Sequence, residues 1–252
     1  MKMLTRFSVL LLCCLLLVAG LWVSSPVQPK AWEPSANPGL SGDFSANNQL
    51  DKVELRLKGR GVGPEEVTLG PDGMLYTGYD DGRLVRFHPV DRPRAAELFA
   101  NTGGRPLGMA FDREGSLIVA DAIKGLLSVS PQGVVRVLVD EFDGERFKFV
   151  DDVDVAADGT VWFSDVSKNF DYHSMAYDFL EASMTGRLLS YSPATGKTQV
   201  RLEGLFFANG VALGPNDEFV LVNETAAARV TRLWLKGEKA GQRDTFIDAL
   251  PG

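Results

Sequence analysis

The stretch "FANGVALGPNDEFVLVNETAAARVTRLWL" (Phe207 to Leu235) decides the fold. It reads as a short apolar run, a Gly-Pro-Asn-Asp turn, alternating apolar residues, an Asn-Glu pair and a second apolar run. The same order recurs upstream in "GPDGMLYTGYDDGRLVRF" (70–87), "DREGSLIVADAIKGLLSVS" (112–130) and "AADGTVWFSDVSKNF" (156–170), the last with a delayed "TGRLLSYS" (185–192). Gly73, Gly115 and Gly159 mark equivalent turns at a spacing in the low forties. The fourth turn, at Asp217, comes later because of an insertion over residues 169–184. Each unit has a strand before the turn ("PLGMAFD", "FVDDVDVA", "FANGVALG") and one after the second run ("AAELFA", "VVRVLVD", "KTQVRLEG", "RDTFIDAL"). Four short antiparallel strands recurring at this period predict an all-β fold built as a β-propeller. A β-sandwich would supply similar strands but needs no period.

About four blades are covered, and the pattern stops at "FIDALPG" (246–252) directly after an outer strand. An open propeller would expose sheet edges. The expectation is therefore a C-terminally truncated part of a larger propeller, with a four-bladed ring as the rarer alternative.

The first strand of a propeller blade lines the central channel, so residues just before it converge at one face from separate blades. Those positions hold Glu65 in "GPEEVTLG", Asp151 in "FVDDVDVA" and Asn209 in "FANGVALG". Any one alone reads as a turn acid or a strand cap. Their shared place in the repeat favours a set of oxygen donors, which suits Ca2+ or another hard divalent cation. Asn209 would contribute a carbonyl oxygen without adding charge.

Composition bounds the partners. The chain has 252 residues, 45% hydrophobic, with a formal net charge of -7. It has no basic cluster of the kind that binds phosphates, so nucleic acid is not an expected partner. At the N-terminus, Lys2 and Arg6 precede an apolar run from Phe7 to Val23. Residues 1–25 read as a signal anchor, or alternatively a signal peptide cleaved after Gly20. Residues 26–50 read as a Pro/Ser/Asn/Gly-rich linker and 51–252 as the propeller. With the basic residues kept cytoplasmic, the propeller is expected to be membrane-anchored and extracytoplasmic; cleavage would make it secreted or periplasmic. Both cysteines, Cys13 and Cys14, lie in the targeting segment, which removes a cysteine nucleophile or zinc–thiolate site from the exported part.

From about Val53 the chain resembles the family of strictosidine synthases and adipocyte plasma membrane-associated proteins, and more distantly senescence-marker-type gluconolactonases and paraoxonases. The runs "GRLLSYSPATGKTQVRLEGLFFANGVALGPNDEFVLVNETAAARVTRLWLKGEKAG" (186–241) and "GRPLGMAFDREGSLIVADAIKGLLSV" (104–129) carry the resemblance. It implies a six-bladed propeller whose motif continues past "LPG". Glu65 matches the family's acidic metal ligand after Gly-Pro, and Asn209 matches the Asn of its "NG" ligand. Asp151 stands where relatives carry Asn before Asp. Glu66 and Asp152 match the acidic pair that serves a second, structural calcium in paraoxonase-like members. The positions of the paraoxonase histidine dyad hold Leu107 and Asp121, and the catalytic glutamate of the alkaloid synthases would lie beyond Gly252.

Of the two histidines, His88 reads as a surface turn residue. His173 lies in the aromatic insertion, which is either a lid over a small apolar substrate or a segment packed on its own blade. No Gly-x-Ser-x-Gly elbow occurs. The catalytic acid or base stays unassigned. Two functions are expected to compete: a calcium-dependent hydrolase of lactones or aryl esters, and a non-catalytic membrane-anchored propeller that binds a ligand or protein.

Overall fold

Each repeat folds as a four-stranded antiparallel meander, because residues with positive φ, Gly73, Gly115 and Gly159 in the first three and Asn216 and Asp217 in the fourth, let the chain reverse between two alternating runs. The computed structural model describes residues 2–89 and 96–251, without side-chain detail for residues 2–7 and 9. The first sheet comprises β1 (Val67–Leu69), β2 (Leu75–Gly78), β3 (Arg83–Phe87) and β4 (Glu97–Asn101), and the second β5 (Pro106–Phe111), β6 (Leu117–Asp121), β7 (Gly125–Val129) and β8 (Val135–Val139). A small hairpin of β9 (Glu141–Phe142) and β10 (Glu145–Arg146) follows. The third sheet comprises β11 (Val150–Val155), β12 (Val161–Asp165), β13 (Gly186–Ser192) and β14 (Lys197–Leu205), and the fourth β15 (Ala208–Leu213), β16 (Phe219–Glu224), β17 (Arg229–Trp234) and β18 (Arg243–Ile247). In each sheet the strands lie in chain order, as propeller blades do. The Ala95 start expected for the first blade's outer strand lies outside the described residues.

Alternation along the middle strands of the second and third sheets feeds two cores rather than one core and solvent, whereas β1, β14 and β18 keep an exposed face. In β6, Leu117 and Val119 face the first blade while Ile118 and Ala120 face the third. In β13, Leu189 joins the core between blades two and three, and Leu188 the core between blades three and four. Phe163, fully buried, anchors the middle core.

Polar staples set how the third and fourth blades meet. Asp152 Oδ2 accepts from Val211 N at 2.6 Å and Asp154 Oδ2 from Leu213 N at 2.8 Å, so two carboxylates two residues apart hold β15 against β11. Asp154→Ala should cost about 1–2 kcal/mol in chemical denaturation, because the Leu213 N–H loses a charged acceptor. Asp154→Asn, which keeps a carbonyl oxygen, should recover part of that; equal losses in both variants would argue against the staple.

The N-terminal α1 (Lys2–Val23) is a 22-residue helix. Among the described residues no helix is long and apolar enough to cross a membrane. The side chains of Lys2, Arg6 and Phe7, on which the anchor reading partly rests, lie outside the described residues. The expected linker has only one short 3-10 turn, Gly42–Phe44, yet it is not free. Lys30 N donates to Glu181 O at 2.8 Å, and Trp32 packs edge-on against Phe206. The insertion supplies a 3-10 turn, Tyr172–Ser174, capped by Asp171, and α2 (Ala176–Glu181).

Candidate functional site

Three inner strands carry the same one-residue β-bulge at their N-terminal ends. It falls between Pro106 and Met109 in β5, Val150 and Val153 in β11, and Ala208 and Val211 in β15. Bulges re-aim side chains beside functional sites. The residues at equivalent places are Leu107, Asp151 and Asn209, with Glu65 preceding β1 in the first blade.

Electrostatics tie the acids together. Asp151 is 4% exposed, and its Oδ2 is buried without a hydrogen-bond partner. Burial, then the charges of Glu65 and Asp152, push its carboxyl well above the usual carboxylate range, against the pull of Arg105. Asp152 is pushed up to about 7 by burial, with Glu66 and Glu65 adding to it; its hydrogen bonds from Val211 and Val153 work the other way. Glu65 is raised by desolvation at the rim and by Glu66, and lowered by Arg105. Glu65, Glu66, Asp151 and Asp152 therefore form one cluster of like charges. Asn209 sits at the equivalent bulge of the fourth blade, half-buried.

Among the described residues, no three His, Cys, Asp or Glu side chains stand close enough to hold a metal by themselves. The second blade contributes Leu107, which is buried and apolar, and the fourth an amide. The donors present are nonetheless all oxygens, and a buried carboxylate oxygen without a partner asks for a proton or a cation. Their chemistry is that of donors to a hard cation, with Glu65 and Asp151 coupled by charge and Asn209 at the equivalent place in the fourth blade. Asp152 is already engaged with the fourth blade, and a Cβ on Gly108 would meet its Oδ1 at 1.9 Å, so only glycine lets β5 approach.

Arg105 was not singled out from the sequence. It is 5% exposed, its Nε lies 3.4 Å from Asp80 Oδ1, and its guanidinium lies over the Tyr172 ring at 5.6 Å. Tyr172 in turn donates to Asp80 Oδ1 at 3.0 Å, so the insertion closes over the arginine. The available signal was a lone arginine within "GGRPLGM", beside a bulge position. Asp121 proves to be a loop clamp: its Oδ1 accepts from the N–H groups of Arg105, Ile123 and Lys124. His88 is exposed just after β3, and His173 is exposed on the insertion, edge-on to Tyr172.

An apolar cap of Leu107, Phe149, Phe206 and Phe207, with Tyr172 and Met184 of the insertion, overlies this end of the sheets. A concavity of about 550 Å³ lies elsewhere, around Asp158, Trp162 and Lys236. That is the far end of β11, about 17 Å along the strand from Asp151.

The strictosidine synthase family profile matches residues 151–238, and the profile for the N-terminal part of strictosidine synthase-like proteins matches residues 42–87. Strictosidine synthase-like protein 4 of Arabidopsis thaliana is 40% identical over 233 residues, covering 91% of this chain and 61% of that protein. The chain belongs to the strictosidine synthase-like family. The adipocyte plasma membrane-associated protein of Danio rerio, 36% identical over 251 residues, covers 94% of the chain and is itself covered over 60%. The chain thus spans about 60% of the length of these strictosidine synthase-like relatives. Among solved structures, a gluconolactonase from Xanthomonas campestris superposes with a TM-score of 0.62 at 17% identity, covering 74% of this chain and 63% of that one. Regucalcin from Agrobacterium tumefaciens, described as a calcium-binding protein, gives 0.58 at 15%, covering 75% and 61%. At those identities the likeness speaks for the propeller fold alone.

Proposed function

We propose that this chain is the propeller part of a membrane-attached, divalent-cation-dependent hydrolase of lactones or aryl esters. The observation that carries the reading is the acid cluster at one channel mouth, with the partnerless Asp151 oxygen at its centre. Glu65, Asp151 and Asn209 would hold Ca2+ or a similar ion, which when bound polarises a carbonyl oxygen. The carboxyl of Asp152, raised to about 7, exchanges protons near neutral pH, as a carboxylate assisting attack by water must. Arg105, dry and aimed at the same cluster, can hold a developing oxyanion or a substrate carboxylate. The aromatic cap offers an apolar wall for a small ester or lactone. The fold is one that a gluconolactonase and a calcium-binding regucalcin also use, so it can host this chemistry.

The four sheets would belong to a six-bladed ring. Exposed Val67 and Leu69 on the first sheet and Phe246 on the fourth are surfaces that further blades would cover. The apolar helix, exposed from Leu10 to Val23, would seat the protein in a membrane, with Lys2 and Arg6 on the cytoplasmic side and the propeller outside. The name of the plasma membrane-associated relatives supports the attachment. The rival reading, a non-catalytic propeller binding a ligand or protein, is favoured by Leu107 in place of a polar ligand on the second blade.

Asn209→Ala is the test. It should weaken calcium binding in calorimetric titration of the full-length protein by about tenfold, roughly 1.4 kcal/mol, and lower aryl ester and lactone hydrolysis with it. A residue that only caps the strand would cost about 1 kcal/mol of stability or less and leave calcium affinity unchanged, an outcome that would sink the assignment.

A further inference from the structure

The helix α2 is built inside out. Its two acids, Asp178 and Glu181, are buried at 0% and 6% exposure, while Tyr177, Phe179 and Leu180 are 39%, 44% and 65% exposed, with Phe179 also resting on Phe207 and Tyr177 on Phe170. Met175, just before the helix, is 41% exposed as well. A helix facing water shows the reverse distribution. The buried acids are held in place: Glu181 Oε2 accepts from Gln28 N at 2.9 Å, its Oε1 accepts from Asn169 Nδ2 at 2.8 Å, and Ser183 Oγ donates to Asp178. The outward apolar face is therefore fixed by the fold and is not one rotamer choice among several.

The surroundings say what covers it. Gln28, bonded to Glu181, is five residues beyond Val23, the end of the apolar α1. Five residues reach at most about 18 Å, so α2 is leashed close to the point where α1 ends. Three exposed lysines gather at the insertion on a chain of net charge -7. Lys30 Nζ donates to Ser183 O at 3.0 Å, Lys148 Nζ donates to Asn169 O at 2.8 Å, and Lys168 adjoins Asn169 in sequence. An exposed apolar face on an insertion that lysines bind at both ends, beside an apolar N-terminal helix, has the make-up of a surface that lies in a lipid interface.

We infer that α2, with Met175, Tyr177, Phe179 and Leu180, docks the channel-mouth end of the propeller onto the lipid surface in which α1 is seated. The inference rests on the reading of α1 as the membrane attachment and adds an orientation: the acid cluster opens toward the bilayer. Apolar substrates dissolved in lipid would then reach the site through the membrane-facing mouth, and the Tyr172 contact over Arg105 would lie at that entrance.

The test uses the full chain carrying Cys13→Ala and Cys14→Ala, with a single reporter thiol at Leu180→Cys, Tyr177→Cys or, as the far-end control, Ala157→Cys. Each is labelled with an environment-sensitive fluorophore and reconstituted in vesicles of phosphatidylcholine and phosphatidylserine containing nitroxide-labelled lipid. Quenching at positions 180 and 177 should be several-fold stronger than at position 157. Flotation of the protein with the vesicles, read in the same samples, separates the two layers of the argument. Flotation with equal quenching at all three positions overturns the docking and leaves the attachment. Failure to float overturns the attachment and the docking with it. Protection of position 180 from aqueous quencher only at high protein density, without lipid quenching, assigns the face to a second copy and likewise overturns the inference.

Discussion

Calcium should raise the unfolding midpoint of this protein strongly at pH 8 and weakly at pH 5. The acids at the channel mouth have folded-state pKa values above their unfolded ones: Asp152 at about 7, Asp151 and Glu65 also raised. An acid shifted in that direction contributes stability that is full below its unfolded pKa and is lost as pH rises through the folded value. For Asp152 the loss falls between about pH 4 and pH 7, and a shift of that size corresponds to about 4 kcal/mol at most. Carboxylates shifted downward, such as Asp72, Asp81 and Asp158, act only at lower pH and do not mask it. The proposed cation would compete with those protons, binding when the acids are ionised and restoring what ionisation removed. At a concentration a thousandfold above its dissociation constant the gain is about 4 kcal/mol. Denaturation in calcium and in chelator, at both pH values, measures it. Asp151→Asn should shift the two states in opposite directions, making the cation-free protein more stable at pH 8 and the calcium response smaller. Coincident curves in calcium and chelator at pH 8 would remove the cation from the account.

Arg187→Met should be the most damaging single change at the ends of the second strands. Arg187 Nε and Nη2 both donate to Asp165 Oδ2, at 3.0 and 2.5 Å, and the two side chains are 5% and 0% exposed. The guanidinium also packs over Phe147 at 5.6 Å. Burial already pushes Asp165 up to about 6 despite the arginine. Removing the cation leaves a dry carboxylate and should cost about 3–5 kcal/mol at pH 8. The loss should shrink at pH 5, where Asp165 can take up a proton. The double variant Asp165→Leu, Arg187→Met should recover much of it, because no charge is left buried. Arg83 occupies the same repeat position in the first blade, but it lies over Tyr79 at 5.2 Å and bridges exposed Asp81. Arg83→Met should therefore cost less than about 1 kcal/mol. Chemical denaturation of the two variants side by side decides whether burial, rather than repeat position, sets the cost.

That comparison shows how far a repeat pattern can be read. The acid ending the second strand of blades two, three and four was visible as a period, with Tyr79 in its place in the first blade, but its partner differs from blade to blade. Asp165 takes Arg187, Glu224 takes Arg229 and Thr231, and Asp121 takes backbone N–H groups. In the second blade the arginine's place falls to Gly125, where a Cβ would meet Val139 O at 2.5 Å, so the backbone must serve instead. Strand spacing carries no information about such clearances.

Period, turn glycines and the alternation of apolar residues are local properties, and from them the sequence by itself determined the four meanders, their order and the shared place of Glu65, Asp151 and Asn209 in the repeat. What the tertiary structure alone decided is which side chains share a dielectric. It brought Arg105 onto the acid cluster, drew Asp152 into a staple to the fourth blade, turned the acids of α2 inward and pinned the expected linker to the insertion. Each of these depends on contacts between residues tens to more than a hundred positions apart, and charge coupling and burial follow distance in space rather than along the chain.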